Sequence, residues 1–128
     1  MILALDTSTK TCKLSLVELD WRYDDNWLAD RSLADHLLKY INDQLQNNNK
    51  TIEDISAIVF YSGPGSFTGL RIGATVVNTI ADSLSIPIVA QTGIDWQGVA
   101  ISRLDAGDND GLVLPFYGSE PNITQAKK

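Results

Sequence analysis

Cysteine and histidine are nearly absent, with Cys12 and His36 the single residue of each kind in 128. One thiol excludes an internal disulfide, and one imidazole beside it is too few for a structural zinc site. Basic residues are scarce as well. Ten Lys and Arg stand against sixteen Asp and Glu, a formal net charge of −6 at pH 7, and the one basic cluster is Lys127-Lys128. Without a Lys/Arg stripe to neutralise phosphates, stand-alone nucleic-acid binding is not expected. No segment has the apolar length needed to span a bilayer. Met1-Ile2-Leu3-Ala4-Leu5-Asp6 has neither a basic n-region nor the apolar length of a signal peptide. A cytoplasmic chain with no membrane partner is therefore expected. The remainder is ordinary for one globular domain, 44% hydrophobic and 20% charged, and too short for two full lobes. No internal repeat is present.

What the sequence does have is a glycine-rich stretch, Ser62-Gly63-Pro64-Gly65-Ser66-Phe67-Thr68-Gly69-Leu70-Arg71-Ile72-Gly73. Ala57-Ile58-Val59-Phe60-Tyr61 before it reads as a buried strand. Ile72, Val76, Val77, Ile80 and Leu84 after it recur at helical spacing. The stretch is thus a strand-to-helix turn whose glycines allow unusual dihedrals or close approach. Two guests suit it. An anion fits a helix amino terminus, although neither the Walker A nor the dinucleotide pattern is met. Close packing is the other reading: Gly69 and Gly73 share a helical face with Ala74, which favours helix against helix.

In chain order, Ile2-Leu3-Ala4-Leu5 reads as a strand buried on both faces, closed by the small polar turn Asp6-Thr7-Ser8-Thr9. Lys13 to Leu19 alternates like a half-exposed second strand, and Asp20 to Asp25 supplies turn residues. Asn26 to Asp30 suggests a third, edge-like strand. Ser32 with Asp35 marks a helix start, and Leu33, Leu37, Ile41 and Leu45 carry that helix to about Gln46. Thr51 caps a short turn before the fourth strand. Ile86-Pro87-Ile88-Val89-Ala90 is a fifth strand, at an edge because of Pro87. Thr92 starts a last helix through Ala100. This order gives an α/β fold of the ribonuclease-H-like type, a five-stranded mixed sheet flanked by helices. Arg103 to Gly111 reads as a mobile connector, Gly111 to Tyr117 as an apolar segment packing back, and the residues from Glu120 as a fraying end.

Catalytic patterns are few. A two-metal nuclease needs acids from the first strand, first helix and fourth strand; Asp6 and Asp35 suit the first two, but the fourth strand ends in Tyr61-Ser62. Ser66 has no base, and His36 sits among leucines on a helix. Trp21, Trp27 and Trp96 are scattered as packing residues. Asp6 with Thr7 and Ser8 has two readings: a turn holding hydrated Mg²⁺ and a nucleotide phosphate, or an Asx-type turn closing a hairpin.

Together, Met1 to Thr9 and Gly63 to Gly73 resemble the TsaB (YeaZ) family, whose members are similar to the amino-terminal lobe of actin and sugar-kinase proteins. The resemblance extends through Ala100 and resumes in Leu114-Pro115-Phe116-Tyr117 and Pro121-Asn122-Ile123-Thr124. It implies a non-catalytic subunit of the machinery that installs threonylcarbamoyl on tRNA adenosine. The partner would be a TsaD-like catalytic paralogue, met through the two long helices, or a second copy; a TsaE-like ATPase would join the complex. It also implies tRNA contact only through the complex, no cofactor or metal on this chain alone, and ATP with Mg²⁺ at a complex interface. The expected domains are residues 1–101 as the lobe, 102–111 as a connector in place of the family's second lobe, and 112–128 as the tail. Leu33, Leu37, Ile41, Gly69, Gly73, Ala74, Val77 and Ile80 are the expected partner-binding residues. Asp6, Thr7, Ser8, Gly63, Gly65, Ser66 and Thr68 are candidates for phosphate, which keeps a nucleotide-binding enzyme or switch as the alternative.

Overall fold

A computed structural model describes residues 1–116. Five strands and three helices follow one another as β1 (Ile2–Asp6), β2 (Thr11–Glu18), β3 (Trp21–Leu28), α1 (Leu33–Asn47), β4 (Ala57–Tyr61), α2 (Phe67–Leu84), β5 (Ile88–Gln91) and α3 (Trp96–Asp105). The sheet order is β3-β2-β1-β4-β5. The first three strands form an antiparallel meander, and β4 and β5 add in parallel on the other side of β1. The parallel additions need crossovers, which α1 and α2 supply.

Strand periodicity splits the core into two layers, because successive side chains point to opposite faces. Leu3, Leu5, Leu14, Leu16, Ile58 and Phe60 are buried in one layer with Leu37, Ile41, Leu70 and Val77 of α1 and α2. Ala4, Val59 and Val89 are buried in the other with Ala100 of α3. The continuous apolar runs of β1 and β4 follow from having both faces covered.

β3 is longer than the sequence suggests. Residues 21–25, expected as a turn, belong to the strand, and only Leu19-Asp20 turns the chain. Its pattern is an aromatic alternation: Trp21, Tyr23 and Trp27 are half-buried, with Arg22, Asp24 and Asn26 outside. Asp25 lies on the inner side because it accepts the Tyr40 hydroxyl at 2.6 Å, while Trp27 stacks on Tyr40 at 4.8 Å. Burial and this carboxylate push the Tyr40 phenol above its ordinary range.

At helix ends two further expectations change and one holds. The Ser32 side chain makes no capping hydrogen bond, since a single 3₁₀ turn at Asp30–Ser32 already feeds α1. At Thr51 the expected cap is present, with Thr51 N–H donating to Asp54 at 2.8 Å. α3 begins four residues after Thr92, beyond Gly93 at φ +98°, and continues past Ala100 to Asp105. Ile101 and Leu104 extend it by packing on the second core layer.

The segment after α3, expected to be mobile, is tied down. Asp110 N–H donates to the Ile88 carbonyl at 2.8 Å and Arg103 pairs with Asp110 at 2.6 Å. Farther on, Val113 is buried, its N–H donating to Asn78 Oδ1 at 2.8 Å and its carbonyl accepting Asn78 Nδ2 at 2.9 Å. Phe116 N–H reaches the Ser62 carbonyl at 2.6 Å. Tyr117, the Pro121–Thr124 block and the end expected to fray lie outside the described residues. Among the described residues no helix is long and apolar enough to cross a membrane.

Candidate functional site

The β1–β2 turn and the glycine turn are brought together at the carboxyl end of β1 and β4, and they interlock. Asp6 Oδ1 accepts the Ser8 N–H at 2.8 Å and the Ser8 hydroxyl at 2.6 Å, an Asx turn. Ser66 N–H donates to the Ser8 carbonyl at 2.8 Å. The buried Thr7 hydroxyl donates to the Gly69 carbonyl at 2.7 Å. Ser66 caps α2, its hydroxyl accepting the Gly69 N–H at 3.1 Å.

The glycines are explained by what lies against them. A Cβ at Gly65 would stand 2.5 Å from Ser8 Cβ, one at Gly69 2.3 Å from the Thr7 carbonyl oxygen, and one at Gly73 2.2 Å from Thr7 Oγ1. At Gly63, where φ is +125°, it would stand 2.3 Å from the Phe116 carbonyl oxygen. The guest that requires close approach along α2 is thus the Thr7–Ser8 turn of the same chain. This corrects the helix-against-helix reading. The candidate phosphate ligands Asp6, Thr7, Ser8, Gly63, Gly65 and Ser66 are engaged with each other or with Phe116, while Ser66 and Thr68 are exposed and line a cavity beside α1.

The expected partner-binding set is corrected as well. Leu33, Leu37, Ile41, Gly69, Gly73, Ala74, Val77 and Ile80 are all buried within this chain. Most of the apolar positions chosen from periodicity face the sheet, although Ile80 also lines the groove between the helices and Leu33 and Gly69 line the cavity at the amino-terminal end of α2. The outer face of the two helices carries the other stripe. Leu38, Ile52, Thr75, Val76, Thr79 and Leu84 line an apolar groove of about 430 Å³. It continues along Ala34, Thr68, Arg71 and Ile72 into a second hollow that shares Thr75 and Val76. A third cavity, of about 630 Å³, adds Lys10 and Arg31 together with Asp30. Among the described residues Lys10, Arg31 and Arg71 have no carboxylate within ion-pair distance. The outer face is therefore mainly apolar, with Glu53 and Ser83 in the lining of the first groove, and cationic at the amino-terminal end of α2. Helical spacing offers a second stripe through Ala34 and Leu38 beside that of Leu33, Leu37 and Ile41, and only the register on the sheet decides which of the two faces outward.

His36 is exposed on α1 beside Trp27 and Lys39. Cys12 is buried, and burial first, then Asp6 and Asp25, push its thiol up to about 12. At ordinary pH it is a packed, protonated side chain rather than a nucleophile. Among the described residues no three His, Cys, Asp or Glu side chains converge to hold a metal ion.

A 3-2-1-4-5 sheet with an antiparallel front, parallel additions and helices on both faces defines an α/β lobe of the ribonuclease-H-like class, the unit of actin and sugar-kinase folds. Residues 27–101, more than half of the chain, match the family described as TsaD, tRNA N6-adenosine threonylcarbamoyltransferase. The chain is 32% identical over 108 residues to the tRNA threonylcarbamoyladenosine biosynthesis protein TsaB of Haemophilus influenzae, covering 84% of this chain and 46% of that one. It is 30% identical over 122 residues to the TsaB of Bacillus subtilis, covering 91% and 49%. A solved YeaZ structure from Pseudomonas aeruginosa superposes with a TM-score of 0.66 at 34% identity, over 71% of this chain and 44% of that one. The chain belongs to this family, on its TsaB (YeaZ) branch. It spans about half the length of the curated relatives it matches.

Proposed function

We propose that this chain is a non-catalytic scaffold subunit in tRNA threonylcarbamoyladenosine formation, and that it binds a TsaD-like catalytic subunit through the outer face of α1 and α2. The observation that carries this reading is the groove along Leu38, Thr75, Val76, Thr79 and Leu84, a helix-pair surface that no other element among the described residues covers. Lys10, Arg31 and Arg71 at one end call for a partner surface with acidic residues opposite them. The names of the relatives supply the pathway: TsaB proteins are described as tRNA threonylcarbamoyladenosine biosynthesis proteins. The matching family description names the transferase itself. In the alternative, nucleotide chemistry on this lobe alone, Asp6 would have to act with Oδ1 already accepting two bonds from Ser8. In the same reading the lobe runs through α3 to Asp105, past the boundary at 101 expected from the sequence, and the residues from 106 to 111 stand in place of the family's second lobe.

Co-purification with the TsaD-like protein of the same organism, sizing of the complex and a reconstituted tRNA modification assay test the proposal. A stable complex that modifies tRNA only when both subunits are present is expected. Turnover by this chain alone, or no association with that protein, overturns it.

A further inference from the structure

Among the described residues β5 is the last strand of the sheet, so one row of its backbone groups has no neighbouring strand there. Val89 is in register with Val59 of β4, and Pro87 and Gln91 accept from Ile58 and Ser62. Ile88 and Ala90 therefore present their N–H and C=O outward. All four groups are occupied, and none by a strand. Ile88 N–H donates to Asn109 Oδ1 at 3.1 Å and its carbonyl accepts from Asp110 N–H at 2.8 Å. Ala90 N–H donates to Asp110 Oδ2 at 2.9 Å, and its carbonyl accepts from Arg103 Nη1 at 3.0 Å. Arg103 also clamps Asp110 at 2.6 Å and Asp108 at 3.1 Å. Gly107 at φ +89° and Gly111 at φ +74° give the chain the left-handed turns that bring residues 108–110 against the strand.

We propose that Arg103 to Asp110 is a strap masking a strand-addition edge, and that the unmasked edge takes a second copy of this chain through β5. The geometry is self-complementary. A two-fold axis through Val89 sets Ile88 opposite Ala90 of the other copy in an antiparallel pair, so that the four groups held by the strap exchange four inter-strand hydrogen bonds. An uncovered edge of this kind is a template for pairing, and natural sheets cover or charge it. Side-chain caps from Asn109, Asp110 and Arg103 satisfy the same groups without offering an edge of their own.

The test uses the full chain carrying Thr75→Arg, so that association through the outer helix face does not contribute. In this parent, the Ile88 and Ala90 amides should be protected from hydrogen exchange although no strand covers them. In the same chain with Asn109→Ala and Asp110→Ala, both amides should exchange at least about tenfold faster in dilute solution. They should regain protection as concentration rises, together with a monomer-to-dimer shift in sedimentation. Free exchange of both amides in the parent overturns the strap. A folded variant that stays monomeric at every concentration overturns the second-copy reading. Asp110→Asn, which keeps the side-chain shape and weakens the clamp, serves if the double variant does not fold: an intermediate loss of Ile88 and Ala90 protection is expected, and unchanged protection contradicts the proposal.

Discussion

Thr7 donates its hydroxyl to the carbonyl of Gly69 across 62 positions of sequence, at 2.7 Å and out of contact with water. This bond joins the β1–β2 turn to the first turn of α2, and the neighbouring glycines exist to let it form. Thr7→Val keeps the shape and removes the donor, while the Gly69 carbonyl keeps its acceptor role within α2. A loss of about 0.5–1.5 kcal/mol is expected, measured as a shift of the urea midpoint.

Gly73→Ala decides between two opposed effects. Alanine in a helix interior gains about 1 kcal/mol over glycine. The new Cβ, however, would stand 2.2 Å from Thr7 Oγ1 and 2.8 Å from Phe60 Cε1, both held in the core. Overpacking of that kind costs about 1–3 kcal/mol, so net destabilisation is expected and Gly73→Leu should not fold. Gly98→Ala in α3 is the control. Its Cβ would meet only the Asp95 carboxylate, at 2.9 Å, the end of an exposed side chain that can turn away. There the helix gain should prevail, raising the melting temperature.

Much of the fold was legible in the sequence because β1, β4 and the long helices have unambiguous periodicity. β3 was read short because a strand carrying Arg22, Asp24 and Asp25 looks like a turn until Tyr40 is placed against Asp25. The glycine motif was visible as a site of close approach, but its guest, Thr7-Ser8, lies some sixty residues away in sequence and belongs to a different element. The outer helix face was confused with the inner one for a similar reason. Helical spacing gives stripes, and only the sheet beneath decides which stripe is covered.

Alkaline pH should weaken the fold through Cys12. Its thiol, ordinarily near 9.0, is held at about 12 in the folded chain. Between those values the unfolded chain loses the proton and the native chain keeps it. Stability therefore falls as pH rises above about 9, with a slope of about 1.4 kcal/mol per pH unit from this group. The Tyr40 phenol, also raised, adds in the same direction at higher pH. Urea titrations at successive pH values should show the slope reduced in Cys12→Ala. The native thiol should also resist alkylation at neutral pH and react once the chain is unfolded.

Asn78 holds Val113 by both its N–H and its carbonyl, fastening the segment after the strap to α2. Asn78→Ala removes both bonds and strands two backbone groups. A cost of about 1–3 kcal/mol is expected. Limited proteolysis should then cut between Gly111 and Phe116 faster than in the unaltered chain, while cleavage elsewhere is unchanged.

If the outer face of α1 and α2 seats a TsaD-like subunit, substitutions at exposed groove residues should weaken that complex in a binding titration. Thr75→Arg and Thr79→Arg each place a bulky cation in the apolar groove without touching the core. Either should leave the melting temperature within a few degrees and weaken the complex by at least about 2 kcal/mol, roughly thirtyfold in Kd. Unchanged affinity in both folded variants would contradict the account.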